Sequence, residues 1–268
     1  MACLVSAGVA RAEVDLVSAE ALLKKSGLWR QLGSIHLQVK AGFREALIQR
    51  GDKPSEAEVL RQMAILDTAY EEGRLRKAAL RSLAKIADPR YSFEIFTWYD
   101  SATGSAITKL EELAVGENRP PKVVEAEGAK AFEGASPLRK ELIAKLIVVT
   151  RSSEAIAMMS INTTLAILQG VAQASPNTSM PALPSLRYEL EKQKPNLQKM
   201  LAESLKTAFA GIYQSLSDEQ LAAYVMFLGS PAGQHSTATG LRAFEDAMID
   251  AATVFGQGLV GTLERSNT

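Results

Sequence analysis

Cysteine is nearly missing from this sequence: of 268 residues only Cys3 is one, and it falls in an apolar N-terminal stretch. A mature chain starting beyond that stretch would hold no thiol, which excludes disulfides, thiolate nucleophiles and cysteine-based metal sites. Histidine is almost as scarce, with His36 and His235 alone, so no His-x3-His pair occurs. An EF-hand loop and a Walker glycine pattern are also missing, and Gly256-Gln257-Gly258 follows a helical stripe rather than a strand. We therefore expect no cofactor and no metal. Lys+Arg and Asp+Glu number 30 each, so net charge points to neither nucleic acid nor an anionic membrane surface. No run past the N-terminal stretch approaches the roughly 20 uninterrupted apolar residues that span a bilayer, so no transmembrane segment is expected in the mature chain.

The N-terminal stretch has a reading of its own. Small and apolar residues dominate Met1 to Ala10, and Ala10-Arg11-Ala12 has the small-x-small form of a signal-peptidase site. Residues 1–12 are expected to be a truncated signal peptide whose basic segment is missing through a start codon placed too late. That predicts export to the periplasm. Cys3 does not suit a lipid anchor, since no apolar segment precedes it.

What is present is helix. Apolar residues recur at the helical period almost everywhere, and the pattern predicts an all-α, multi-helix bundle of about ten helices. Ser18 is read as the cap of a first helix ending near Gly27, followed by a stripe of Leu28, Leu32, Ile35, Val39, Gly42 and Ala46. Gly51 to Pro54 stops that helix, and Ser55 with Glu58 has the form of a capping box. Asp88-Pro89 opens a short aromatic helix. Ser136-Pro137 and Ser152 or Ser153 start further helices, a proline-rich loop runs from Ser175 to Pro184, and Pro195 is expected to open another helix. Residues 116–136, with Pro120-Pro121, are expected to link an N-terminal half (13–115) to a C-terminal half (137–268).

The two halves share a corner. In the second, Ser217 and Gln220 form a capping box, an apolar helix follows, Gly229 is read as a left-handed stop, Ser230 caps anew, and Pro231 and Gly233 occupy the next first turn. In the first, Trp98 and Tyr99 lead to Ser101 and Gly104. An offset of 129 aligns Ser101 with Ser230, Gly104 with Gly233, Trp98 with Phe227, Leu83 with Ile212 and Leu80 with Phe209, which predicts an internal duplication. Each of these residues has a helix-corner role, and Gly233 lets a helix or ligand approach the backbone.

Leu216-Ser217-Asp218-Glu219-Gln220, Ala223 to Leu228, and Ser230-Pro231-Ala232-Gly233-Gln234 together resemble domain-of-unknown-function family 2059, best over residues 197–259. The resemblance implies an exported, mostly proteobacterial helical protein. It brings no activity and no catalytic residues, and Ala102 stands in the first half where the second has Pro231.

Chemistry is sparse. Ser236 beside His235 is poorly placed as a nucleophile, because neighbours on a helix diverge by roughly 100 degrees. Glu94 and Asp100 are the most conspicuous carboxylates for a hydrolase acting on envelope polymers, while Glu111-Glu112 is read as a solvated face. Trp98, Tyr99 and His235 are the candidates for contact with a partner protein or an apolar ligand. A non-catalytic periplasmic binding or adaptor protein, using a groove between the halves, is the leading expectation. An apolar-ligand or lipid carrier is the alternative, and an envelope hydrolase stands behind both.

Overall fold

The computed structural model describes residues 14–49, 55–116, 119–175 and 182–266. The expected signal segment with Cys3, the breaker at residues 51–54 and most of the proline-rich loop lie outside them. Among the described residues there are twelve α-helices, one 3-10 turn and no strand.

The first helix, α1 (Leu16–Lys25), is capped by Asp15 rather than by Ser18. The Asp15 carboxylate accepts both the Ser18 N–H at 2.9 Å and the Ser18 hydroxyl at 2.7 Å, so one acidic side chain satisfies two donors. Gly27 turns the chain with φ of 76°, and α2 (Leu28–Gln49) begins at the next residue. Ser55 caps α3 (Glu56–Ala69) by accepting the Glu58 N–H. The Glu71 carboxylate accepts the Gly73 and Arg74 N–H groups, each at 2.8 Å, and so opens α4 (Glu72–Ile86). Asp88 caps the 3-10 turn Pro89–Tyr91, which runs into α5 (Ser92–Asp100) and then α6 (Ala102–Gly116).

Within the stretch expected to link the halves lies α7 (Pro121–Glu133), with Pro121 at its first position, and it packs against α10 (Leu183–Ile212). Next come α8 (Pro137–Thr150), capped by Ser136, and α9 (Ser152–Ala174). Neither Ser152 nor Ser153 caps α9. Arg151 stands between the two helices in the left-handed conformation at φ 50°, so α9 starts with no residue to spare for a hydroxyl cap. Pro195 does not open a helix either. It sits inside α10, whose packing on α7 and α9 outweighs the hydrogen bond that a proline removes. The last two helices are α11 (Asp218–Gly229) and α12 (Pro231–Ser266).

Two cores form, and neither follows chain order. One joins Leu23, Leu32, Leu66, Leu75 and Leu83 of the first half to Phe244, Ala247, Met248, Ala251 and Phe255 of α12. The other joins Leu142, Leu146, Ala210, Leu221 and Leu228 of the second half to Ile107 of α6. The helix that follows each corner thus also contributes to the core of the opposite half. α12 also crosses α9 closely: a Cβ on Gly170 would overlap the Thr253 carbonyl, and one on Gly256 the Ile167 carbonyl. By length and composition α9 could cross a bilayer; here it packs on α12, α10 and α8.

Candidate functional site: a cavity between the two corners

The two corners have the same local geometry. The Ser101 hydroxyl donates to the Trp98 carbonyl at 2.6 Å and accepts the Gly104 N–H at 3.0 Å. The Ser230 hydroxyl donates to the Phe227 carbonyl at 2.7 Å and accepts the Gly233 N–H at 3.1 Å. A Cβ on Gly104 would overlap the Trp98 carbonyl, and one on Gly233 the Phe227 carbonyl. Both serines are extended, with ψ of 156° and 160°, and each ends one helix while capping the next. At Ser217 the capping box is formed: its hydroxyl accepts the Gln220 N–H at 3.2 Å, and Gln220 Oε1 accepts the Ser217 N–H at 2.9 Å.

Gly229 departs from expectation. The only glycine with positive φ among the described residues is Gly27, so Gly229 is not a left-handed stop but the last helical residue of α11. With Ser230 shared by both helices, the chain turns on an extended residue and no left-handed cap is needed.

The corners lie back to back. Trp98 and Phe227, which the offset of 129 aligns, stack on each other with centroids 4.5 Å apart and planes 7° from parallel. Tyr224 lies parallel to Trp98 at 6.0 Å, and Tyr99 meets Phe227 edge-on at 6.2 Å. Trp98 is thereby taken up in the junction, whereas Phe93 on the same helix is 81% exposed.

Beside this junction is a cavity of about 360 Å³, with walls from both halves. Its apolar lining includes Leu22, Leu28, Ile95, Leu146, Ile212 and Leu241. Into it α6 brings Glu111, whose Oε1 accepts hydrogen bonds from the hydroxyls of Tyr213 at 2.6 Å and Tyr224 at 2.8 Å. Oε2 makes no hydrogen bond among the described residues. Burial pushes the Glu111 carboxyl above the usual carboxylate range, and the two tyrosine hydrogen bonds pull the other way. Burial, followed by the Glu111 charge, raises both tyrosines well above their ordinary value, so they stay hydrogen-bond donors. Tyr99 is pushed up to about 12 by burial, with its 3.3 Å contact to the Ser236 hydroxyl opposing.

Tyr213 is held in place from α8. Arg139 donates to the Tyr213 carbonyl at 3.1 Å, to the Leu216 carbonyl, and to Asp218 Oδ1 at 2.8 Å. One guanidinium thus pins the whole turn between α10 and α11.

Of the residues expected to carry chemistry, Tyr99 and His235 reach the cavity. His235 Nε2 accepts the Asp88 N–H at 2.8 Å, and its ring packs against Tyr91 at 4.8 Å. Ser236 is turned to Tyr99. Glu94 is exposed, and Asp100 is paired with Lys25 outside the cavity, so the structure does not gather Glu94, Asp100 and His235 at one place. His36 caps its own turn, with Nδ1 3.0 Å from the Gly33 carbonyl. Glu111, read as solvated, is the residue that the sequence pattern hid. It falls on the buried face that carries Gly104, Ile107 and Thr108, a placement that spacing could have shown. Among the described residues no group of His, Cys, Asp and Glu is placed to hold a metal ion. No family model, curated protein or solved structure matches the chain.

Proposed function

We propose that this chain is a non-catalytic, exported binding protein that holds a small, mainly apolar ligand with one polar group in the cavity between its halves. One observation carries the reading: a mainly apolar cavity of about 360 Å³ contains the Glu111 carboxyl group, with one oxygen held by two tyrosines and the other making no hydrogen bond among the described residues. Small-molecule sites have this character, a largely apolar lining of about 300–1,000 Å³ with a few placed polar groups. A filled core would carry no such space.

The proposal keeps three parts of the sequence reading together. Export through residues 1–12 would put the protein in the periplasm. Membership of domain-of-unknown-function family 2059 would agree with the corner motif. Duplication at an offset of 129 would account for two like corners meeting beside the cavity, and the stacking of Trp98 on Phe227 supports it.

The test is binding of N-phenyl-1-naphthylamine, a neutral apolar fluorophore, together with native mass spectrometry of the freshly purified protein. We expect saturable fluorescence enhancement, weakened about tenfold or more by Ala114→Trp, which places an indole at the cavity wall. Circular dichroism checks that the variant is folded. No saturable binding, and no retained small molecule, would refute the proposal.

A further inference from the structure

We infer that the ligand is an organic cation, an apolar amine whose ammonium group donates to Glu111 Oε2; this rests on the binding function proposed above. Charge is the first ground. No Lys or Arg lines the cavity among the described residues, while three carboxylates do: Asp88, Glu111 and Glu112. Asp88 has its cation in Arg90, with a 2.6 Å contact, and Glu112 has Arg30 at 3.9 Å. Glu111 has none. An anionic ligand would find no lysine or arginine in the lining to pair with, whereas a cation meets a carboxyl group that no cation already holds.

Hydrogen bonding is the second. The two hydroxyl donors meet on the single oxygen Oε1, and they leave Oε2 for a third donor once the carboxyl is ionised. An ammonium supplies that donor together with the opposite charge; an alcohol supplies only the donor. The aromatic side chains of Tyr99, Phe209, Tyr213 and Tyr224 line the same cavity and favour a cation over a neutral amphiphile of equal size.

Binding should then move one proton. With the cavity empty, burial favours the neutral Glu111 carboxyl. When the ammonium arrives as R–NH₃⁺, the Glu111 proton leaves to solvent and a carboxylate–ammonium pair remains, so charge balances with one H⁺ released. Affinity for the amine therefore rises with pH until Glu111 is ionised in the free protein. The titratable groups around this carboxyl are Tyr213 after α10 and Tyr224 on α11, which touch it, and Tyr99 on α5, Glu112 on α6, His235 on α12 and Asp88, which line the same cavity, with Arg30 and Arg90 paired to Glu112 and Asp88.

Isothermal titration with octylamine, 1-octanol and octanoate, at several pH values and in buffers of different ionisation enthalpy, decides the matter. We expect octylamine to bind at least about tenfold tighter than octanol, with proton release that fades as pH rises through the range in which free Glu111 ionises. Glu111→Gln, which keeps an oxygen for both tyrosines, should abolish the preference for octylamine over octanol and the proton release that accompanies amine binding. The wild-type proton count decides the point even if that variant fails to fold. Octanol or octanoate binding as tightly as octylamine, or an unchanged amine affinity in Glu111→Gln, overturns the amine assignment but leaves the cavity function standing. If no member of the series and no neutral fluorophore binds, the cavity function itself falls and the amine with it.

Discussion

Gly233 offers a sharp test of the corner geometry. A Cβ at this position would overlap the Phe227 carbonyl oxygen and lie 2.6 Å from its carbon and 2.7 Å from Leu228 Cα, all of them backbone atoms that no rotamer change can move. Forcing a methyl group into such a site costs about 1–3 kcal/mol, with the rigid backbone favouring the upper end. Opening the corner also weakens the Ser230 cap on the Gly233 N–H, worth about 1 kcal/mol. Alanine regains about 1 kcal/mol of helix propensity. Gly233→Ala should therefore lose about 3 kcal/mol, and with a urea m value near 3 kcal/mol/M the unfolding midpoint should fall by about 1 M. Gly229, four residues earlier, is the internal control. It is helical and exposed, and a methyl group there would meet nothing within 4 Å. Gly229→Ala should raise stability by about 0.5–1 kcal/mol. Urea unfolding followed by circular dichroism measures both. Equal losses at the two glycines, or no loss at Gly233, would refute the shared-serine corner.

Glu111→Gln should also alter the pH dependence of unliganded stability. The folded carboxyl is raised above its unfolded value, so the native state holds more protons between the two, and its stabilising share is full below the unfolded value and is lost as pH rises through the folded one. Thermal unfolding across that window should show wild type weakening relative to the variant; a flat difference contradicts the buried-carboxyl assignment. Arg139→Ala should cost about 2–4 kcal/mol, because three hydrogen bonds, one of them the Asp218 ion pair, are lost together, and Arg139→Lys should not restore them. Recovery by lysine in denaturant unfolding would show that charge alone matters there. Ser101→Ala and Ser230→Ala should each cost about 1 kcal/mol in the same assay, and a clear inequality between them would break the equivalence of the corners.

The parts of this fold that were legible are those decided within a few residues. The Ser217–Gln220 box, the Ser55 and Ser136 caps and the Asp88-Pro89 start all follow from one side chain meeting a nearby N–H. Errors arose where two local signals competed or packing intervened. Asp15 displaced Ser18 because a carboxylate three residues earlier accepts the serine's own donors. Pro195 was overridden by the helices against which α10 lies, and Gly229 looked like a stop when Ser230 already made the turn. The cavity was out of reach for another reason. Tyr213 and Tyr224 lie 102 and 113 residues from Glu111, and no stripe of apolar spacing says which helix faces which.

The exchange of closing helices between the halves sets an order on synthesis. When the ribosome has finished α5, the first core still lacks Phe244, Met248 and Phe255, and roughly 150 residues must be added before α12 emerges. At about 5–20 residues per second that is an interval on the order of ten to thirty seconds, during which Leu66, Leu75 and Leu83 have no permanent cover. The nascent N-terminal segment is thus an unfinished molecule, held open for a helix not yet made. A chaperone that shields it, or a cell that keeps the chain unfolded until it is complete, would act on this interval.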